Sequence, residues 1–267
     1  MLSITAIICV KNESANLPHS LPPLQKYFDE ILVVDSNSED GTTKFATHQF
    51  TWNGQYPKKR QWVLDNITTK NDWVFMVDAD EIVTKDFVSE LQSLDFSKDG
   101  YFVSSRMVWK GKHLKFGQRN NKLCLFKKSK FMFPIIDDLD INGMGEMEGH
   151  YQPIPINDAT IGYIKSPIIH HDRKGDWNDR HDNYIQWEIK MNQRNAWPID
   201  PTPWRAFLKS KLRTSYARPI MIFAYGYIFK CGFLDGRSGF DYAFNRARYA
   251  LRIVRQSQSV PPIADKA

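Results

Sequence analysis

Three short apolar runs dominate the first eighty residues, and each stops abruptly at a polar segment. Ile4 to Val10 gives way to Lys11-Asn12-Glu13-Ser14, and Ile31 to Val34 to Asp35-Ser36-Asn37-Ser38-Glu39-Asp40-Gly41-Thr42; Trp73 to Val77 runs into Asp78-Ala79-Asp80-Glu81. Short runs without alternation predict strands buried on both faces. Leu17 to Phe28 predicts a helix capped by Asn12 or Ser14, its limits blurred by Pro18, Pro22 and Pro23. The segment after Val34 predicts a loop and then the start of a second helix. Strand, helix, strand, helix, strand predicts an α/β fold, a parallel sheet with helices on its faces and its ligands beyond the carboxyl ends of the strands. Asn12, Asp35 and Asp78 all fall at such ends.

Farther on, Gly100 to Trp109 and Leu123 to Phe126 predict strands, and Ile168-Ile169 is a third apolar run, ending in His170-His171-Asp172. Gly175 to Met191 predicts a helix rich in aromatic and charged residues. Ile220 to Phe229 is an apolar and aromatic decad, with Lys209, Lys211, Arg213 and Arg218 before it and Lys230 after it. Ser257 to Ala267 predicts a frayed end. The expected division is a domain over 1–200, its nucleotide-binding half 1–100 and acceptor half 101–200, followed by a helical extension over 201–267.

At 267 residues the chain can bury a substantial core, and 42% hydrophobic with 25% charged residues excludes a disordered polymer. Cys9, Cys124 and Cys231 match neither a disulfide framework nor a zinc spacing, and reduced thiols are the simpler reading. No basic segment leads into an apolar stretch at Met1 to Val10, and no run is long enough to span a bilayer, so a cytoplasmic protein is expected. The net charge of +6 is unevenly spread: residues 1–164 hold 18 basic and 21 acidic side chains, residues 165–267 hold 18 and 9. The basic part could meet nucleic acid, anionic lipid or a phosphorylated substrate. Its aromatics cluster in one block and are not spaced among the bases, which argues against nucleic acid.

Asp78 and Asp80 are two apart, so in an extended chain their carboxylates point the same way. Two hard oxygen ligands can hold a divalent cation, with phosphates and water completing its shell; the plain alternative is a solvated acidic turn. Lys11-Asn12-Glu13, the stretch from Asp29 to Thr42 with its Val-Val-Asp-Ser-x-Ser-x-Asp-Gly-Thr pattern, and Trp73 to Glu81 together resemble the signature of family 2 glycosyltransferases over the first 85 residues or so, with order and spacing preserved.

The resemblance implies a GT-A fold and inverting transfer of a sugar from a nucleotide-diphosphate sugar, UDP-sugars favoured, with Mn2+ or Mg2+. It places Asp35 against the nucleotide base, Lys11, Asn12 and Glu13 in the nucleotide pocket, Asp78 near the ribose or metal-bound water, and Asp80 on the metal. For Asp35 the alternative is a capping carboxylate. One base of Lys58-Lys59-Arg60, with Arg60 in first place, is expected near the diphosphate, although a run of bases more often forms a solvated face. Similar enzymes complete the metal site with a late histidine, so His170 or His171 is expected there, at most one because neighbours on a strand face opposite ways. A histidine bonded to a backbone carbonyl is the alternative.

The reaction needs a carboxylate to take the acceptor proton. Gly143-Met144-Gly145-Glu146-Met147-Glu148-Gly149-His150 departs from the Glu-Asp pair many members carry, and Glu146 is the first choice, then Glu148, with Asp137 or Asp138 behind; an exposed acidic loop is the alternative. Gly232-Phe233-Leu234-Asp235-Gly236-Arg237 resembles a segment of the lipopolysaccharide core glucosyltransferase branch, implying a glycan or lipid-linked acceptor in envelope or polysaccharide biosynthesis. Residues 209–230 would then contact the membrane surface peripherally or form a helix docked on the domain. A non-catalytic nucleotide- or glycan-binding module is the competing class, and a nucleotidyltransferase is disfavoured because no glycine-rich loop follows the first strand.

Overall fold

The structure, a computed structural model, describes residues 1–141, 145–148, 151–171, 173, 177–197 and 203–259, backbone only at 177–181, 203 and 205. Expectations that touch Gly143, Met144, Gly149, His150, Asp172, Gly175, Asp176 and 260–267 therefore lie outside the described residues.

Among them the strands are β1 (Leu2–Val10), β2 (Phe28–Asp35), β3 (His48–Gln49), β4 (Trp73–Met76), β5 (Glu81–Ile82), β6 (Gly100–Trp109), β7 (Lys112–His113), β8 (Asn120–Lys127), β9 (Phe131–Met132), β10 (Ile154–Pro155), β11 (Ile161–Tyr163) and β12 (Ile168–His170). The helices are α1 (Leu17–Tyr27), α2 (Lys59–Asn66), α3 (Lys85–Ser93), α4 (Trp177–Arg194), α5 (Pro203–Leu212), α6 (Ala217–Phe223) and α7 (Arg237–Ser259). The main sheet runs β3-β2-β1-β4-β8-β6-β12-β5, with β7 and β11 also on β6. Its β3-β2-β1-β4 block is parallel, and β8 enters antiparallel beside β4. The expected α/β architecture is therefore present, as a mixed sheet flanked by helices.

The apolar runs fold this way because both faces of the parallel block are covered. Ile4, Ile7, Ile8, Val33, Val34, Val74 and Phe75 are buried in one core. A ladder of rings joins its layers, Phe28 to Phe75 at 5.7 Å and Phe75 to Phe87 of α3 at 5.4 Å. Each such ring stabilises the fold by about 1.5–3 kcal/mol through burial. Helix α3 starts where the Thr84 hydroxyl accepts the Phe87 N–H, at 3.1 Å.

The second helix and the end of the last one differ from the pattern, while the decad keeps it. The second helix does not begin at Thr42: Asp40 accepts bonds from Thr42 and Ser14, tying that loop to the β1 turn, and only a 3-10 turn (Thr42–Phe45) forms before α2. The decad at 220–229 is helical throughout, α6 passing into a π-helical turn over Ala224–Phe229. The last helix continues to Ser259, past the expected fraying point.

Candidate active site

Register brings the carboxyl ends together. Val10 lies opposite Asp35, and the Val77 N–H donates to the Ile7 carbonyl at 3.0 Å, so the polar segments after β1, β2 and β4 share one edge. Asn12 there has φ +55°, a left-handed conformation asparagine tolerates. Its side chain accepts the Glu39 N–H at 2.8 Å, while its own N–H donates to the Ser38 hydroxyl at 2.7 Å. The Glu13 N–H donates to Thr42. The two loops are thus laced into one surface. Asp35 is fully buried beneath it, its carboxylate accepting from the Ser38 N–H at 3.1 Å and the Ser38 hydroxyl. Its geometry is that of a carboxylate fixing the 36–38 loop.

After β4 the chain turns into β5, the last strand of the sheet order, where Glu81 pairs with His170 of β12. Asp78 receives Arg60 Nη2 at 3.0 Å and Lys122 Nζ at 2.6 Å on its two oxygens, and Lys122 also reaches Glu81 at 2.5 Å. The Asp78 N–H donates to Glu81 at 3.0 Å. Burial would raise the Asp78 pKa, but Lys122 and Arg60 outweigh it and hold the carboxyl well below the usual range. Burial likewise works against the Lys122 ammonium, and Asp78 and Glu81 more than offset it.

Asp80 is in the opposite situation. Burial pushes it up to about 6, opposed by His170 and reinforced by Asp78 and Glu81. His170 Nε2 lies 3.4 Å from Asp80 Oδ2, and Nδ1 lies 3.9 Å from Glu81. Burial favours the neutral ring, but Asp80 and Glu81 hold its pKa above the ordinary value. Asp80 Oδ1 is buried with no hydrogen-bond partner. A buried carboxylate oxygen without a donor, beside an imidazole, is the donor set a hard or borderline divalent cation accepts. Among the described residues no three His, Cys, Asp or Glu side chains form a full cage, so a cation there would draw its other ligands from a nucleotide and water. His171 turns away: its Nδ1 meets Arg173 Nη2 at 2.8 Å, and its ring lies edge-on to His113. Of the adjacent histidines, only His170 reaches the acidic pair.

The three consecutive bases separate into three roles. Lys58 and Lys59 are fully buried, so the run is no solvated face. Lys58 pairs with Asp138 at 2.6 Å, Lys59 donates to the Val10 carbonyl at 2.6 Å, and Arg60 alone reaches Asp78. Asp138 also accepts from Tyr56 at 2.7 Å and from the Trp187 indole at 3.1 Å. With both oxygens engaged and no exposure, Asp138 has the geometry of a structural anchor.

Glu148 is likewise buried. Helix α2 has no side-chain cap of its own, and the Glu148 carboxylate accepts the Arg60 and Gln61 N–H groups, each at 2.9 Å, in place of one. Such a cap contributes about 1 kcal/mol. Glu146 keeps partial exposure and pairs with Lys11 of the β1 turn at 3.2 Å, while its carbonyl accepts the Lys59 N–H. Gly145 lies flat under Trp52, where a Cβ would come within 2.3 Å of the indole. Asp137 lies near Arg194, at 3.4 Å. The sequence reading misses Lys122. Alternation does not reveal it, because β8 shifts register between Leu125 and Leu123, and its partners Asp78 and Glu81 lie 44 and 41 residues away.

A mixed α/β sheet with a parallel block and acidic, basic and imidazole groups gathered at the carboxyl ends of its strands is a fold of the GT-A type. The chain belongs to family 2 of the glycosyltransferases: the family model described as Glycosyl transferase family 2 matches residues 5–152. An uncharacterized glycosyltransferase of Rickettsia bellii is 30% identical over 102 residues, 36% of this chain and 34% of that protein. The SPbeta prophage-derived glycosyltransferase SunS of Bacillus subtilis is 28% identical over 92 residues, 32% of this chain and 21% of that one. The alignments thus span about a third of one of these curated relatives and about a fifth of the other. Among solved structures, the mannosyltransferase PcManGT from Pyrobaculum calidifontis, in complex with GDP-Man and Mn2+, superposes over 99% of this chain and 88% of its own with a TM-score of 0.51 at 14% identity. That likeness concerns the fold.

Proposed function

We propose that the protein is an inverting, metal-dependent transferase that moves a sugar from a nucleotide-diphosphate sugar, UDP-sugars first, to a glycan or lipid-linked acceptor of envelope or polysaccharide biosynthesis. The observation that carries this reading is the unpartnered Asp80 Oδ1 beside His170, at the same edge as the laced β1 and β2 loops. In this reading Asp80 and His170 hold Mn2+ or Mg2+, which when bound neutralises charge on the departing diphosphate. Asp78, fixed ionised by Arg60 and Lys122, orients the ribose side of the donor. Lys11, Asn12 and Glu13 line the nucleotide pocket, and Asp35 shapes it by holding the 36–38 loop. Glu146 takes the proton from the acceptor hydroxyl; the acceptor oxygen bonds to the anomeric carbon as the bond to the diphosphate breaks on the opposite face, inverting that centre. Glu146 suits this role better than Glu148 or Asp138, whose carboxylates already serve α2 and Lys58. The Mn2+ and GDP-Man of PcManGT are consistent with the donor and metal classes but fix neither nucleotide nor sugar here.

Nucleotide release from UDP-, GDP- and dTDP-sugars, with Mn2+, Mg2+ or EDTA, tests the reading. Metal-dependent hydrolysis of one donor supports it and names the sugar. Nucleotide binding without turnover across an acceptor panel would favour a non-catalytic binding module instead.

A further inference from the structure

The carboxy-terminal helices leave a surface that the folded body does not explain. Of the eighteen large hydrophobic side chains exposed among the described residues, thirteen lie between 204 and 244. Ile220 is 71% exposed and Phe229 75%. The surface is continuous where rings connect it: Phe223 meets Tyr227 and Phe240, Tyr227 meets Phe233, and Phe240 stacks on Phe244, all within 6.3 Å. An apolar patch of this extent on a folded chain marks an interaction site.

The charges around it have one sign. Residues 204–244 carry seven Lys and Arg and two Asp. Both acids point into the body: Asp235 accepts the Lys115 and Phe116 N–H groups, and Asp241 accepts the Trp109 indole and pairs with Lys110. Outward, Lys211 lies over the Phe207 ring and Lys230 over Tyr225, cations on aromatic stems. A self-complementary contact with a second copy would set these cations against one another. A surface of phosphate headgroups over acyl chains satisfies both components at once. The helical stretch over 217–229 rises about 20 Å, too short to cross a bilayer, and among the described residues no helix is long and apolar enough to do so.

We propose that this face seats the protein on the surface of an anionic bilayer, with the aromatic cluster in the headgroup region and the exposed Lys209, Lys211 and Lys230 side chains on lipid phosphates, Arg218 being turned inward to Glu188. Its attachment gives the seating a direction. The Gly117 N–H donates to the Lys230 carbonyl, and Lys112 to that of Asp235, so the face is fixed to the β6–β7 hairpin. His113 of that hairpin meets His171, next to His170. The membrane face and the acidic site therefore share one supporting segment, and an acceptor carried in the lipid would reach the site from that side. This last consequence rests on the proposed transfer reaction; the membrane contact does not.

Co-sedimentation of the full chain with vesicles of phosphatidylglycerol and phosphatidylethanolamine, against phosphatidylcholine alone, tests the proposal. The expected result is binding to the anionic vesicles that weakens with salt, falls about thirtyfold in K209Q/K211Q and disappears in I220D/F229D, whose melting temperature stays unchanged because both side chains are exposed. Equal sedimentation of I220D/F229D and wild type would overturn it, as would absence of binding to either vesicle. A lipid-free dimer that dissociates in I220D/F229D would assign the face to a second copy and overturn it too. Donor hydrolysis without lipid is read separately: turnover with no vesicle binding sinks the membrane face alone, and vesicle binding with no turnover of any donor sinks the transferase reading alone.

Discussion

Replacing Asp138 with leucine separates a structural carboxylate from a catalytic one. Asp138 and Lys58 are 2.6 Å apart with both side chains fully buried. Removing one partner of such a pair leaves an uncompensated charge and costs about 3–5 kcal/mol. Tyr56 and Trp187 each lose an acceptor, at about 1 kcal/mol apiece. Tyr56 keeps its bond to the Ile136 carbonyl at 2.9 Å, so the total falls near 4–6 kcal/mol rather than at the full sum. For a chain of this size that lowers the melting temperature by on the order of 10–20 °C. The double variant Lys58→Met/Asp138→Leu should recover most of the loss, because an apolar pair of similar volume avoids the desolvation penalty. Thermal melts by circular dichroism, with donor hydrolysis measured on the folded fraction, read both quantities. An Asp138→Leu protein that melts like wild type yet has lost turnover would refute the anchor and restore Asp138 as a reacting group.

Glu146→Gln should lower kcat by about 10²–10⁴ with an unchanged melting temperature, whereas Glu148→Gln should cost about 1 kcal/mol of stability through α2 and leave most of kcat; a calorimeter and an initial-rate assay decide, and the reverse pattern exchanges their roles. Mn2+ affinity should fall as pH drops through about 6: Asp80 must be ionised to bind, protons compete below its raised pKa, and a protonated His170 repels the ion in the same direction. Titration calorimetry between about pH 5 and 8 should show this fall, and a flat profile would remove Asp80 from the metal site. Lys122→Met should weaken donor use by releasing Asp78 from its cation, seen as a raised KM for the nucleotide sugar; an unchanged KM would show that Arg60 alone fixes Asp78.

The sequence carried the parallel block because its strands are apolar on both faces, so their runs stand out and their polar ends mark the edge where ligands gather. The short strands β3 and β5 left no such trace, since two residues have no periodicity. Contacts far apart in the chain were equally silent. Lys58 and Lys59 read as a solvated run because their partners, Asp138 and the Val10 carbonyl, lie 80 and 49 residues away. Lys122 joins the acidic cluster across 44 residues. The two histidines could be narrowed to one by strand alternation, but choosing His170 required the β5–β12 pairing that sets it against Asp80. Gly232 to Arg237 was read as a family feature, and in the fold Asp235 clamps the hairpin at Lys115 and Phe116. The carboxy-terminal decad is helical, as its pattern allowed, with Gly226 buried while Ile220, Ile228 and Phe229 stay exposed.

The proposed reaction stands on Asp80, with His170, holding the cation that a nucleotide diphosphate needs. Its most direct test is calorimetric titration of UDP into wild type and Asp80→Asn, each with Mn2+ and with EDTA. Mn2+ is expected to tighten UDP binding to wild type at least tenfold and to leave Asp80→Asn where EDTA puts it, with both proteins melting alike. Equal tightening in the variant would contradict it.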